Sequence, residues 1–201
     1  VSVPDFTLEP DTVLERVVGV FQAVGIEYVV GGSTASNNFG RPRLTHDVDF
    51  AARIPPEKVS ALAAAFGDDF YADEDMIRTA VETTSSFNVI YLPFSFKADI
   101  FIAPDDEWTA EQFARRHEVK TFSSGFRYFV SSPEDIILQK LRWFELGGRI
   151  SENQWRDIQE MLNVQRGNLD HGYLRRWAQT LGLGELLDEA VRDADASLGS
   201  S

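Results

Sequence analysis

Residues 31–50 read GGSTASNNFGRPRLTHDVDF. A glycine pair and a serine open this stretch, and Asp47 and Asp49, separated by Val48, close it. It follows IEYVV (26–30), a short β-branched run bounded by Gly25 and by the glycine pair, which reads as a buried strand. STASNNF reads as a short helix or turn, and HDVDFAA as an alternating strand. Strand side chains alternate, so Asp47 and Asp49 share one face while Val48 points into the core. Two carboxylates about 7 Å apart along a strand repel each other unless a positive charge lies between them. A hard divalent cation with oxygen ligands is the natural neutraliser, and Mg²⁺ fits where phosphates complete its shell. The pair on its own reads more readily as a solvated strand end carrying two surface acids.

Two further features bear on that choice. Gly31-Gly32-Ser33 follows a buried strand, where glycines let the backbone approach a ligand and a helix start favours anions. An ordinary strand-to-helix turn has the same sequence. The second feature is Asp99 in FKADIFIA (96–103), with Ala98 and Ile100 on the opposite face and Phe101 on its own. A carboxylate inside an apolar strand needs a partner, because burying an unpaired charge is costly. That partner is either a site shared with the other acids or the neighbouring Lys97.

Around this centre the chain divides by texture. DTVLERVVGVFQAV (11–24) places Val13, Leu14, Val17, Val18, Phe21 and Val24 on one helical face. Pro55 and Pro56 open a helix over EKVSALAAAF (57–66), and residues 74–84 read as a helix that unravels at Thr83–Ser86. FNVIYL and FKADIFIA are strands joined by a proline turn, residues 109–116 are helical, and HEVKTF and FRYFV form a last pair of strands. From Ser132-Pro133-Glu134-Asp135, a helix start with Ser as N-cap and acids against the dipole, only helices follow: 133–146, 151–164, 170–181 and 183–195. The expected fold class is α+β, a mixed β-sheet with flanking helices over residues 1–131 followed by a C-terminal helical bundle over 132–201.

Bulk composition narrows the function classes. The 201 residues carry a formal charge of −13, which repels phosphate backbones and argues against non-specific nucleic-acid binding. Residues 140–176 are the exception, with seven Lys/Arg against five Asp/Glu. Cysteine is absent, which removes disulfides and thiolate metal sites. His46, His117 and His171 are scattered, so a zinc site is not expected. The four tryptophans, Trp108, Trp143, Trp155 and Trp177, read as helix-packing residues. No apolar run approaches about 18 residues, and VSVPDFTLEP lacks the basic start and apolar run of a signal peptide. A cytoplasmic protein without a membrane span is expected.

Strand, Gly-Gly-Ser, helix, Asp-x-Asp strand and a later strand with a third Asp together resemble the nucleotidyltransferase (DNA polymerase β-like) superfamily over residues 27–102. Thirteen residues separate Ser33 from Asp47, and the acids stand in an R-x-T-x-D-x-D context with Arg43 and Thr45. That longer gap resembles the AbiEii-type proteins, the toxin side of type IV toxin–antitoxin systems, more than the minimal nucleotidyltransferases that pair with HEPN toxins. SPEDIILQKLRWF (132–144) and QWRDIQEML (154–162) are similar to that group's helical segment, in which a Lys and an Asp on successive helices face the active site. Here they are Lys140 and Asp157.

The resemblance implies a nucleotidyltransferase-like fold and transfer of a nucleotide from a nucleoside triphosphate to an acceptor hydroxyl on tRNA, a protein or a small molecule. It implies a triphosphate site at Gly31, Gly32, Ser33, Arg43 and Thr45, a Mg²⁺ (or Mn²⁺) site at Asp47, Asp49 and Asp99, and assistance from Lys140 and Asp157. A cognate antitoxin is the implied protein partner. A protein-AMPylating antitoxin, or a catalytically silent binding protein of the same fold, are the alternatives.

Overall fold

The computed structural model describes residues 8–40, 45, 47–121 and 123–198. The chain forms two compact units: Val1–Thr34 with Leu44–Val130, and Ala35–Arg43 with Ser131–Ser201. The second unit thus takes in a segment from inside the first third of the chain, where the sequence offers only a short polar helix.

The first unit is built on one sheet. Its strands are β1 (Glu27–Val30), β2 (Asp47–Arg53), β3 (Phe70–Tyr71), β4 (Ser86–Tyr91), β5 (Phe96–Ile102), β6 (His117–Lys120) and β7 (Arg127–Val130). Their order is β3-β4-β5-β2-β1-β7-β6. Two pairings, β1 with β7 and β2 with β5, are parallel, and the other four are antiparallel. The central β2 alternates without a break: Val48, Phe50 and Ala52 are buried, and Asp47, Asp49 and Ala51 lie on the less buried face. The helices are α1 (Leu8–Val24), α2 (Gly32–Phe39), α3 (Val59–Phe66), α4 (Glu74–Thr83) and α5 (Glu107–Ala114), with α2 running from the first unit into the second.

The α1 face read from the sequence forms the core of this unit. Val13, Leu14, Val17, Val18 and Phe21 are fully buried, and Val24 at the helix end is half-buried. Phe21 meets Phe50 edge-on at 5.4 Å and Tyr28 at 5.6 Å, tying α1 to β1 and β2. After Pro55, residues Pro56–Lys58 form a 3₁₀ turn before α3 begins. Asp73 caps α4 by accepting from the Met76 N–H, and Thr84 in the left-handed region (φ 48°) ends it. Asp106 caps α5 through the Thr109 N–H, so that helix begins two residues before the expected 109.

In the second unit, α6 (Pro133–Leu146), α7 (Glu152–Val164), α8 (His171–Thr180) and α9 (Gly184–Leu198) follow the expected helices closely. The acids at the start of α6 have a larger role than complementing the dipole. Asp135 is fully buried and accepts from the Ser132 and Tyr173 hydroxyls, each at 2.6 Å. Glu134, also buried, accepts the Asp170 N–H at 2.7 Å. These bonds pin α8 to the N-terminus of α6. The end of α2 is tied in by Gln165, whose side chain donates to the Phe39 carbonyl at 2.5 Å. Among the tryptophans, Trp177 is buried and Trp155 stacks on Phe144, but Trp143 is 54% exposed, so not all four are packing residues.

Candidate active site on the polar face of the sheet

The site grows from strand register. β2 and β5 pair in parallel with Asp47 beside Lys97 and Asp49 beside Asp99. Residues two apart share a face, so these four side chains form a two-by-two array on one side of the sheet. On the next strand, Asn88 is the register partner of Asp99 and adds a half-buried amide to the same face. Three carboxylates and one ammonium leave the array with a charge of −2, the charge that one divalent cation cancels.

Each member is held by its neighbours. The Thr45 hydroxyl donates to Asp47 Oδ1 at 2.8 Å, so this threonine orients a carboxylate. Gly31 N–H donates to the Asp49 carbonyl at 2.9 Å, which locks the turn to β2. Gly32, the first residue of α2, has φ 56°, and a Cβ placed there would lie 1.8 Å from Asp49 Oδ2. Only glycine allows the helix start to sit this close to the carboxylate. The positive end of the α2 dipole therefore lies against Asp49.

Lys97 forms an ion pair with Asp99, Nζ to Oδ2 at 2.6 Å, its side chain 46% exposed against 20% for the acid. Its pKa is raised, first by the hydrogen bond to Asp99 and then by the charges of Asp99, Asp47 and Asp49, which together outweigh the effect of burial. The sequence offered Asp99 either as a third acid of the site or as a partner of Lys97. The structure gives it both surroundings at once. Among the described residues no three His, Asp or Glu side chains are already arranged to hold a metal. The donor chemistry still fits one: three carboxylates in adjacent register, with a glycine cradle against Asp49.

Of the other expected residues, Arg43 lies outside the described residues. Lys140 and Asp157 belong to the second unit and bind each other there, Nζ to Oδ2 at 2.8 Å, with only 11% and 15% of their side chains exposed. Asp157 therefore pairs with Lys140, while its neighbour Arg156 donates to Asn153. Lys97 and Asn88 were not singled out from sequence as members of the site. The period-2 alternation of SFNVIY and FKADIFI puts them on the polar face, but only the register puts them beside the acids.

A cleft of about 520 Å³ lies elsewhere in the first unit, lined by Glu27, Arg53, Phe113, Arg116 and Phe129. Glu27 accepts from Arg53 at 3.0 Å and from Arg116 at 2.7 Å. Arg53 lies over Phe113 at 4.4 Å and Arg116 over Phe129 at 4.8 Å. Arg53 is six residues from Asp47 along β2, roughly 20 Å at strand rise, so this cleft is separate from the carboxylates. Burial pushes Glu27 upward, but hydrogen bonds and charges from Arg116 and Arg53 together hold its pKa below the ordinary carboxylate value.

No family model and no curated protein matches the chain. Solved structures do. An antigenic nucleotidyltransferase-like protein from Paracoccidioides brasiliensis aligns over 96% of this chain and 94% of its own, with 18% identity and a TM-score of 0.54. The chain has a nucleotidyltransferase-like fold. A second structure with this nucleotidyltransferase-like fold, ANT(2")-Ia in complex with adenylyl-2"-tobramycin, aligns over 84% of this chain and 96% of its own, with 16% identity and a TM-score of 0.53. No helix among the described residues is long and apolar enough to cross a membrane.

Proposed function

We propose that the chain transfers a nucleotide from a nucleoside triphosphate to an acceptor hydroxyl. The observation that supports this most is the charge array on the sheet face, Asp47, Asp49 and Asp99, in register and set against a helix start through Gly32. Gly31, Gly32 and Ser33 would seat the β- and γ-phosphates, with the dipole of α2 favouring their charge. Asp47 and Asp49, with Asp99, would hold Mg²⁺ or Mn²⁺, which supplies charge neutralisation at the phosphates. Thr45 holds Asp47 in place for that task. Asp99 would accept the proton of the acceptor hydroxyl as its oxygen bonds to the α-phosphorus and the bond to pyrophosphate breaks. Most of the chain's contribution is positioning and fixed charge.

The net charge of −13 favours a neutral or cationic small-molecule or protein acceptor over tRNA. The AbiEii-like motif extends the proposal to a cytoplasmic toxin with a cognate antitoxin, which growth arrest on expression, relieved by the neighbouring gene product, would test. A second reading has an observation of its own. The Lys97–Asp99 pair is what a catalytically silent binding protein of this fold would show.

Calorimetry with each of the four nucleoside triphosphates, in Mg²⁺ and in EDTA, separates the two. Metal-dependent binding by the wild type, lost in Asp47→Ala/Asp49→Ala, supports the enzyme. Absence of triphosphate binding supports the silent protein.

A further inference from the structure

Lys97 occupies a distinctive position. It is register partner to Asp47, two residues from Asp99 on the same face, and ion-paired to Asp99 at 2.6 Å. Asp49, the register partner of Asp99, completes the array, so the ammonium stands among three carboxylates rather than one. An ordinary surface pair joins one acid to one base, and its loss frees one charge. Here the ammonium offsets one of three like charges that would otherwise repel one another across about 5 Å between strands and about 7 Å along them.

We infer that Lys97 is a built-in counter-cation of the carboxylate site: it holds Asp99 while no divalent ion is bound, and a divalent ion must displace it from Asp99 to gain that third carboxylate. This rests on the reading of Asp47, Asp49 and Asp99 as a metal site. Lys97 is a positioning residue in this scheme, and it makes no bond to the reacting atoms. Its flexible four-carbon stem and half-exposed head let the ammonium leave Asp99 without disturbing the strand. The consequence is a site whose affinity for the bare metal is set low by its own lysine. Phosphates, which bring further negative charge, would give the displaced ammonium a second partner.

The test is Mn²⁺ binding to the full chain, followed by electron paramagnetic resonance of free Mn²⁺, with no nucleotide present. Wild type, Lys97→Met, Lys97→Arg and Asp47→Ala/Asp49→Ala are compared. Lys97→Met is expected to bind Mn²⁺ about tenfold more tightly than wild type, the size that one nearby unit charge at a partly solvated site supports. Lys97→Arg, which keeps the charge, is expected to bind as wild type does, and the double alanine variant not at all. Equal or weaker binding by Lys97→Met, or an equal gain in Lys97→Arg, overturns the inference while leaving the metal site standing. Binding by wild type and Lys97→Met no better than by the double alanine variant overturns the metal-site reading, and the inference with it. Circular dichroism checks the fold of each variant, and Lys97→Gln replaces the Met variant if that one fails to fold.

Discussion

The two ends of the β1–β2 pair carry charges under opposite rules. At one end Glu27 stands beside Arg53 in the ladder and also binds Arg116, and each guanidinium lies over a phenylalanine ring. Every charge there has an opposite neighbour, and the arginine stems are packed. At the other end β2 passes Gly31 and Gly32, and Asp49 stands beside Asp99 with Asp47 two residues away. Among the described residues, Lys97 pairs with Asp99 and stands beside Asp47. The first cluster is what a fold does with surface charge when stability alone is at stake. The second keeps like charges together, an arrangement that lowers stability and is typical of functional sites.

That contrast can be broken by substitution. Gly32→Ala has the largest expected effect. The new Cβ meets Asp49 Oδ2 at 1.8 Å and the backbone is already at φ 56°, so a loss of about 2 kcal/mol is expected from urea unfolding. At the arginine end, Glu27→Gln is expected to cost no more than about 1 kcal/mol at neutral pH, because the pairs are partly exposed. Its pH dependence follows from the lowered pKa of Glu27. The contribution is fully present above the unfolded value of 4.5 and is lost as pH falls through the lower folded value. The stability gap between wild type and variant should therefore be constant from pH 5 to 7 and close in acid. A gap that widens in acid would break the comparison.

The smallest effect is near zero. Asp49→Asn removes a like charge from the register position beside Asp99, which stabilises, and also the charge set against the positive end of the α2 dipole, which destabilises, so the stability of the metal-free protein is expected to change by no more than about 0.5 kcal/mol. Adding Mn²⁺ should make the wild type the more stable, because it gains more from a ligand it binds better. A loss well above that size in EDTA would make Asp49 a structural acid like Glu27.

Much of this was legible in the sequence because it depends on short-range rules. Period-2 alternation put Asp47 and Asp49 on one face and Asp99 on the outer face of its own strand. The glycine pair marked the turn, and Ser132 with Pro133 marked the start of α6. What could not be read depends on pairing between distant segments. Nothing near Asp49 says that Asp99, fifty residues later, will be its register partner, or that Lys97 will stand beside Asp47. Asp135 looked like a dipole acid, but it is buried and accepts a hydrogen bond from Tyr173, far along the chain. β3 has two residues, too few for alternation to show.

The contact between Gly32 and Asp49 has a consequence in inheritance. The glycine is required twice over, by the space the carboxylate leaves and by a backbone at φ 56°. A descendant that abandons the acid for a smaller residue removes the clash but not the backbone demand, while one that keeps the acid cannot change the glycine. Position 32 is therefore expected to vary less than position 49. Among sequences related to this one, a side chain at position 32 would accompany a redrawn turn in lineages that have given up the carboxylate array.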